Sequence, residues 1–382
     1  MNKIRYFDHS ATTAVNEEVL KEMLPYFCVE YGNASSMYSI SRNAKRALDC
    51  ARNRVAKAIN AQSKEIYFTS GGSESDNLAI KGIAYANRDK GNHIITSKIE
   101  HHAVLETCEV LEKEGFEVTY LNVDENGMVN LEELKNAIKP TTILISIMFA
   151  NNEIGTIEPI KEIGKIAKEN NIYFHSDCVQ AVGNVRIDVQ DMNIDSLSMS
   201  GHKLYGPKGI GVLYVREGVE FQKIQNGGHQ ERDKRAGTEN VSGIVGMGKA
   251  IELAYENFDK NTEYLRNLRD TFIKAMEQRV ADIKINGDRV KRLPGNCNIS
   301  FKGVDGEELL LKLDEVGICA SAGSACSTGD AKPSHVLTAI GLPADLASGT
   351  LRLTFGVDNE VEDVEFLVEQ IENIVDELRK KW

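Results

Sequence analysis

The stretch LSMSGHKLYGPKGIG, residues 197–211, carries the strongest signal of the chain's architecture. It has the pattern of a short buried strand that runs into a glycine-rich turn, after which a second strand follows. Similar uninterrupted apolar runs recur along the first two-thirds of the chain, at residues 66–69, 94–96, 118–121, 143–148, 172–175, 197–200 and 212–215. Helical patterns separate most of these runs. Continuous apolar strands alternating with helices predict an α/β fold, with a mainly parallel seven-stranded sheet between layers of helices.

After the last of these strands the pattern changes to a long charged helical stretch. A strand-like run, a helix and a segment of small residues follow it, at residues 298–301, 307–313 and 321–329. The chain closes on a helix with an apolar face. We therefore predict a large domain at residues 12–255 and a smaller α+β domain made of residues 1–11 and 256–382, which carries a cysteine-bearing loop at 321–332.

The composition restricts the class of protein. The chain has 382 residues and a formal net charge of -12, which argues against binding of nucleic acid or of an anionic membrane. The N-terminus lacks the apolar core of a secretory signal, and the most apolar run, residues 143–150, is too short to span a bilayer. The seven scattered cysteines, without a CxxC pair, do not have the pattern of a disulfide framework or a zinc site. We expect a cytoplasmic enzyme.

Two polar residues stand at the ends of predicted strands. Lys203 follows the strand at 197–200, and Asp177 ends the strand that begins at residue 172. Ligands in open α/β sheets bind at the carboxyl ends of strands, where a lysine could form a Schiff base with an aldehyde cofactor. A buried carboxylate there needs a cationic partner, which a protonated pyridine nitrogen would provide. Taken singly, Lys203 would be interpreted as an exposed loop residue, and Asp177 could as well be a helix N-cap.

The segment YFTSGGSESDN, residues 67–77, has the pattern of a strand, a glycine turn and the start of a helix. Gly71 and Gly72 allow the backbone to approach a ligand closely. Ser73 adds a hydroxyl at the helix N-terminus, where free N–H groups favour an anion. This pattern predicts a phosphate cradle, and the alternative is a plain capping box made by Ser73 and Asp76.

Ten segments together resemble one family. They are FDHSATT (7–13), YGNASS (31–36), FTSGGSESDN (68–77), EHHAVL (100–105), NNEIGT (151–156), HSDCVQAVG (175–183), SGHKLYGPKGIG (200–211), GGHQERDKRAGTEN (227–240), SAGSACSTG (321–329) and LRLTFG (351–356). In kind and in order they resemble the cysteine desulfurases of the class V aminotransferase group, in the nitrogen-fixation and iron–sulfur-cluster (NifS/IscS) branch. The resemblance implies a fold-type I enzyme that uses pyridoxal 5'-phosphate to take sulfur from L-cysteine.

The resemblance also implies which residues hold the cofactor. Lys203 would carry it as a Schiff base, Asp177 would pair with its pyridine nitrogen, and Gln180 would bind its ring hydroxyl. The phosphate ligands would be Gly72, Ser73, Ser200 and His202. Thr238 would reach the phosphate bound in the neighbouring subunit, which implies a homodimer with shared active sites. Ser73 stands where many relatives have threonine, and it keeps the hydroxyl.

Three further roles follow from the resemblance. His101 would stack on the cofactor ring and assist proton transfer, while Asn152 and Arg352 would bind the substrate carboxylate, a task that suits the planar fork of arginine. Asn152 would contact the cofactor as well. Without the resemblance, His101 would be interpreted as a helix-entry residue and Arg352 as part of a structural ion pair. His101 with His102 does not indicate a metal site, because no third ligand has a recognisable spacing.

Cys326 lies among small and polar residues that offer no large side chain to bury its thiol, so an accessible loop is predicted. The resemblance implies that its thiolate attacks the sulfur of the substrate, so that alanine leaves and Cys326 holds a persulfide. An acceptor or scaffold protein would then take the sulfur for iron–sulfur cluster assembly or tRNA thiolation. The alternatives on the same fold are an aminotransferase and a selenocysteine lyase. A non-catalytic sulfur carrier would be expected if Lys203 or Asp177 were replaced, and they are present.

Overall fold

The computed structural model describes residues 3–322 and 334–380, and within these ranges the chain forms thirteen strands and fourteen α-helices. The strands are β1 (Arg5–Tyr6), β2 (Ile66–Thr69), β3 (His93–Ser97), β4 (Glu117–Leu121), β5 (Thr142–Ser146), β6 (Tyr173–Asp177), β7 (Ser196–Ser200), β8 (Gly211–Val215), β9 (Ile283–Asn286), β10 (Asn296–Phe301), β11 (Ile318–Cys319), β12 (Ser321–Ala322) and β13 (Thr350–Thr354). The helices are α1 (Glu17–Met23), α2 (Pro25–Cys28), α3 (Ser39–Ala58), α4 (Gly72–Ala86), α5 (His102–Lys113), α6 (Leu131–Ala137), α7 (Ile160–Glu169), α8 (Gln230–Asp233), α9 (Val241–Glu256), α10 (Phe258–Arg279), α11 (Gly306–Glu315), α12 (His335–Ala339), α13 (Ala344–Ala347) and α14 (Val361–Arg379).

The larger sheet, which we call the central sheet, has seven strands among the described residues, in the order β2-β8-β7-β6-β5-β3-β4. Strand β8 is antiparallel to both of its neighbours, and the other pairs are parallel. Every residue of β3, β5, β7 and β8 is buried, as expected for strands covered by helices on both faces. Each of the seven predicted runs overlaps one of these strands, so the predicted fold class is confirmed.

A second, antiparallel sheet, which we call the small sheet, has the order β12-β13-β10-β9. It shares an apolar core with α10, α11 and α14, separate from the core clusters of the central sheet. The sequence predicted β10, α11 and α14 but not β9 or β13, since polar residues interrupt both short runs. The domain limits at residues 12–255, 1–11 and 256–382 stay a prediction.

The charged stretch expected as one connection contains a break. Helix α9 ends at Glu256 and α10 begins at Phe258, with Asn257 between them at φ -101° and ψ 13°. The Asn257 side chain donates a hydrogen bond to Leu253 O, an alternative to helix bonding that asparagine often takes. None of the helices in the described part of the chain is long and apolar enough to cross a membrane.

A buried ion pair joins α3 to the segment after the central sheet. Arg52 donates from Nη1 and Nη2 to the two carboxylate oxygens of Glu231, at 2.7 and 2.8 Å. Phe68 N donates to Glu231 Oε2 at 3.0 Å. The backbone of Glu231 has φ +46°, a left-handed conformation that a side chain of this kind adopts only when its surroundings hold it. This ion pair therefore connects α3 and the segment around Glu231 to β2.

Candidate active site

The parallel strands of the central sheet bring their carboxyl ends to one edge, and a cavity of about 520 Å³ lies there. Its walls come from the ends of β6 and β7, the start of α4, the loops after β3 and β5, the N-terminal segment and the small sheet. The predicted site residues that line it are Gly72, Ser73, His101, Asn152, Asp177, Gln180, Ser200, His202, Lys203 and Arg352. Residues from distant parts of the chain thus share one cavity.

Lys203 ends a short 3-10 helix, Gly201–Lys203, directly after β7. Its Nζ donates to the backbone carbonyls of Ser10 and of Ala11, the latter at 2.8 Å. Burial, and after it the nearby charge of Arg352, lowers the pKa of Lys203 to about 8, against the opposite effect of Asp8 and Asp177. The alternative of an exposed loop lysine is wrong, because Lys203 is a half-buried amine in the cavity wall that can lose its proton near neutral pH.

Asp177 ends β6 and is buried, and its Oδ1 accepts a hydrogen bond from Val179 N at 2.9 Å. Burial raises the pKa of Asp177, while His101, the Val179 hydrogen bond and Lys203 lower it. Residues 178–195, all of which are described, form turns rather than a helix, so the N-cap alternative is wrong. Asp76 lies in the same cavity, and its pKa is also raised by burial and by Asp177. Two buried carboxyls this close do not both stay ionised without a cation.

The predicted phosphate cradle is made by the start of α4 and the residues after β7. A Cβ at Gly72 would lie 2.6 Å from Val179 Cγ2, so only glycine fits at the first residue of α4. The capping box of Ser73 with Asp76 is wrong: the helix begins at Gly72 after Gly71, and no side chain caps it. Asp76 instead lines the cavity, because its position one turn into α4 faces the sheet.

His202 and Ser200 complete this end of the cavity. His202 Nδ1 is 3.1 Å from Thr12 Oγ1. Burial, together with the charges of Lys203 and Lys208, lowers the pKa of His202 to about 4. The imidazole is therefore neutral at pH 7, and it can donate a hydrogen bond to an anion from one nitrogen only.

His101 has the geometry of the helix-entry alternative, and it also lines the cavity. It is the N-cap of α5, and its Nδ1 accepts a hydrogen bond from Ala103 N at 3.0 Å. The ring stays exposed to solvent, and desolvation by its surroundings lowers its pKa. Since Nδ1 accepts a hydrogen bond, the proton of the neutral ring is on Nε2.

Arg352 and Asn152 form another wall. Arg352 Nη2 donates to Asp8 Oδ1 at 2.8 Å, and Nη1 donates to Asn152 O at 3.3 Å. Arg352 therefore does form a structural ion pair, with Asp8, and it lies in the wall of the cavity.

The structure does not bring every predicted residue to this cavity. Thr238 is exposed and does not line it, and Cys326 lies outside the described residues. In turn, sequence reasoning assigned no role to the N-terminal segment, whose Asp8, Ser10 and Ala11 contact Arg352, Gln180 and Lys203. The FDHSATT match was the only sign of its importance.

The residues present fit pyridoxal phosphate. The cavity contains an amine with a lowered pKa, a buried carboxyl and a helix start shaped by Gly72. A neutral imidazole, His202, lies beside that helix start in the same cavity. This set of groups suits an aldehyde-bearing pyridine that carries a phosphate.

Comparisons with known proteins agree with this site. The family model for class-V aminotransferases matches residues 5–367. The chain is 59% identical over 382 residues to the cysteine desulfurase IscS of Clostridium botulinum strain Hall, covering 100% of this chain and 96% of that one. It is 57% identical over 378 residues to the IscS of Methanosarcina thermophila, covering 99% and 93%. Among solved structures, a NifS-like protein has a TM-score of 0.92 at 36% identity, covering 98% of this chain and 99% of that one. SspA in complex with cysteine has a TM-score of 0.83 at 40% identity, covering 92% and 99%.

Proposed function

The chain belongs to the class-V aminotransferase family, and on that basis we propose that it is a pyridoxal-phosphate-dependent cysteine desulfurase. It removes the sulfur of L-cysteine, releases L-alanine and receives the sulfur on Cys326 as a persulfide. The observation that carries the proposal is the convergence of the Lys203 amine, the Asp177 carboxyl and the Arg352 guanidinium on one cavity. The IscS relatives and the cysteine complex of SspA support the choice of substrate.

Five kinds of contact would hold the cofactor. Lys203 Nζ would bind it covalently, Asp177 would pair with the pyridine nitrogen, and Gln180 would bind the ring hydroxyl. His101 would stack on the ring. The phosphate would be held by Gly72, Ser73, Ser200 and His202. When bound, pyridoxal phosphate supplies an electron sink that stabilises negative charge at the substrate's α-carbon.

Lys203 and His101 are the groups that move protons. A pKa of about 8 leaves a useful fraction of Lys203 Nζ neutral at physiological pH, so that it can accept the α-proton of the substrate. His101 can donate a proton from Nε2, because Ala103 N occupies Nδ1. Asn152 and Arg352 would hold the substrate carboxylate, and this fixes which face of the α-carbon meets Lys203.

The proposed sulfur acceptor, Cys326, follows closely on a wall of the cavity. Ala322, at the end of β12, lines the cavity. The four residues from Ala322 to Cys326 can span at most about 14 Å. A cysteine so near in sequence to the cavity wall supports a desulfurase over an aminotransferase, which needs no thiol.

The remaining parts of the proposal concern partners and place. We infer a cytoplasmic homodimer in which Thr238 of each chain reaches the phosphate site of the other. Thr238 is exposed and absent from its own chain's cavity, as a cross-subunit role requires. The persulfide passes to an acceptor or scaffold protein for iron–sulfur cluster assembly or tRNA thiolation.

The test is to incubate the holoenzyme with L-cysteine and a reductant and to measure alanine and sulfide. Equal amounts of both are expected, with a persulfide found on Cys326 by mass spectrometry when the reductant is omitted. Cys326→Ser should abolish alanine release, because the step needs a sulfur nucleophile. Cys28→Ser and Cys50→Ser, at exposed cysteines outside the cavity, are matched controls and should not change it. Alanine release undiminished in Cys326→Ser would refute the acceptor role, and a preference for selenocysteine would favour a selenocysteine lyase.

A further inference from the structure

Arg352 reaches the cavity because of the alternation along β13. Leu351 and Leu353 are fully buried in the core of the small sheet, so Arg352 between them projects from the opposite face. The N-terminal segment runs beside this strand, with a bridge between Asp8 and Thr354. There Phe7 joins the same apolar core, and the neighbouring Asp8 projects to the side of Arg352.

Asp8 and Ser321 hold one end of the guanidinium. Arg352 Nη2 donates to Asp8 Oδ1 at 2.8 Å and to Ser321 Oγ at 3.2 Å. Ser321 Oγ donates to the other oxygen of Asp8, at 2.7 Å. Both carboxylate oxygens are therefore engaged. The side chains of Arg352 and Asp8 are only 6% and 13% accessible, so the pair is largely removed from water.

The guanidinium has further donors that no protein group among the described residues uses. An arginine has five N–H groups. Two on Nη2 and one on Nη1 are taken by Asp8, Ser321 and Asn152 O, which leaves the Nε–H and the second Nη1–H. Nε is buried, and among residues 3–322 and 334–380 it has no hydrogen-bond partner. A buried donor without a partner is costly. The Nε–H and the Nη1–H lie on different edges of the guanidinium, so a carboxylate on the Nε edge would share the Nη2 donors with Asp8 and Ser321.

We propose that Asp8 is a positioning residue, which holds the Arg352 guanidinium in the cavity wall, where it would meet the α-carboxylate of the substrate. The inference rests on the proposed function, because it takes Arg352 as the carboxylate ligand. A buried guanidinium needs a counter-charge. Asp8 supplies it and, with Ser321, prevents the long side chain from adopting other rotamers. The specificity for α-amino acids over simple amines then depends on a residue that does not touch the substrate.

The experiment compares two ligands that differ only in the carboxylate. Ethylamine is L-alanine without its carboxylate, and binding of either to the holoenzyme is followed as a change in the visible absorption of the cofactor, without turnover. Asp8→Asn should lower the affinity for L-alanine about tenfold or more relative to the affinity for ethylamine, and this ratio cancels any effect of Asp8 on Lys203 that the two ligands share. With L-cysteine as substrate, KM should rise more than kcat falls. Ser321→Ala should weaken L-alanine binding by a smaller factor. Ser321→Thr, which keeps the hydroxyl group, should bind L-alanine as the wild type does.

Two controls separate positioning from folding. Asp259→Asn removes an Arg–Asp pair of the same kind from the surface, where the side chains are 61% and 84% accessible, and should change neither affinity. In a double-mutant cycle, Asp8→Asn should add nothing to the loss of L-alanine affinity caused by Arg352→Ala. Equal losses for the two ligands, no loss for L-alanine, or additive losses in the cycle would each overturn the inference.

Failure of the inference about Asp8 can also be distinguished from failure of the proposed function. A holoenzyme with the expected ligand ratios that forms no alanine from L-cysteine refutes the desulfurase and leaves the role of Asp8 standing. A protein that takes up no pyridoxal phosphate overturns both.

Discussion

Loading of the cofactor-free protein with pyridoxal phosphate should depend on pH with a midpoint near 8. Only the neutral amine attacks an aldehyde, and the pKa of Lys203 is lowered from 10.5 to about 8. At pH 7 roughly one Lys203 in ten would be neutral, against roughly one in three thousand for an ordinary lysine. The population of reactive amine is then about 300-fold larger. The loading rate should therefore rise with pH up to about 8 and stay constant above it.

The assay is stopped-flow mixing of the stripped protein with pyridoxal phosphate, followed by visible absorption from about pH 6 to about pH 10. A soluble lysine derivative, measured in the same way, corrects for titration of the cofactor itself. Arg352→Gln should raise the midpoint, because it removes a charge that lowers the pKa of Lys203 and leaves Asp8 unopposed. Asp177→Asn should lower the midpoint, because Asp177 raises that pKa. A wild-type midpoint near 10, or a downward shift in Arg352→Gln, would refute the electrostatic account of Lys203.

Three other substitutions test Lys203 as the cofactor anchor, Gly72 as part of the phosphate cradle, and the buried ion pair between Arg52 and Glu231. Lys203→Ala should keep no cofactor attached after borohydride reduction and denaturation, and a retained adduct in the mass spectrum would identify another anchor. Gly72→Ala should weaken cofactor binding and lower the free energy of unfolding by about 1–3 kcal/mol, because its Cβ would lie too close to Val179 Cγ2. Gly71→Ala, whose Cβ would have nothing within 4 Å, is the control for the free energy of unfolding, and an equal loss of stability would contradict the steric argument. Glu231→Gln should lower the free energy of unfolding by about 3 kcal/mol, because a buried guanidinium loses its counter-charge. In urea denaturation Asp259→Asn, the control at an exposed ion pair, should lower the free energy of unfolding by at most about 1 kcal/mol. A larger loss in Asp259→Asn than in Glu231→Gln would contradict the argument from burial.

The strands of the central sheet could be predicted because their pattern is local. Each apolar run is visible in three to six consecutive positions, and burial on both faces removes the need for alternation. The sequence did not predict β9 and β13, because polar residues interrupt their apolar runs. Arg352 stands in the middle of β13, and a charged residue there is compatible with a strand only because Asp8, 344 positions away, meets it.

The site residues differ in how far the sequence could place them. Lys203 and Asp177 follow predicted strands, so their positions at the sheet edge could be inferred from the sequence, and their roles came from the family resemblance. Asp76 fits a capping box equally well by sequence, since a carboxylate three residues after a serine has the same pattern in either case. The start of α4 at Gly72 and the burial of Asp76 separate the two interpretations.

The amino-acid sequence alone was enough to predict the seven strands of the central sheet, the residue types at its edge and the family. The tertiary structure decided which of those residues meet, how far burial shifts the pKa of Lys203, and that the N-terminal segment closes over the site. The physical reason is that periodicity depends on near neighbours, whereas contact and desolvation depend on how distant segments pack. No local pattern reports the distance between Asp8 and Arg352 or the water that their meeting excludes.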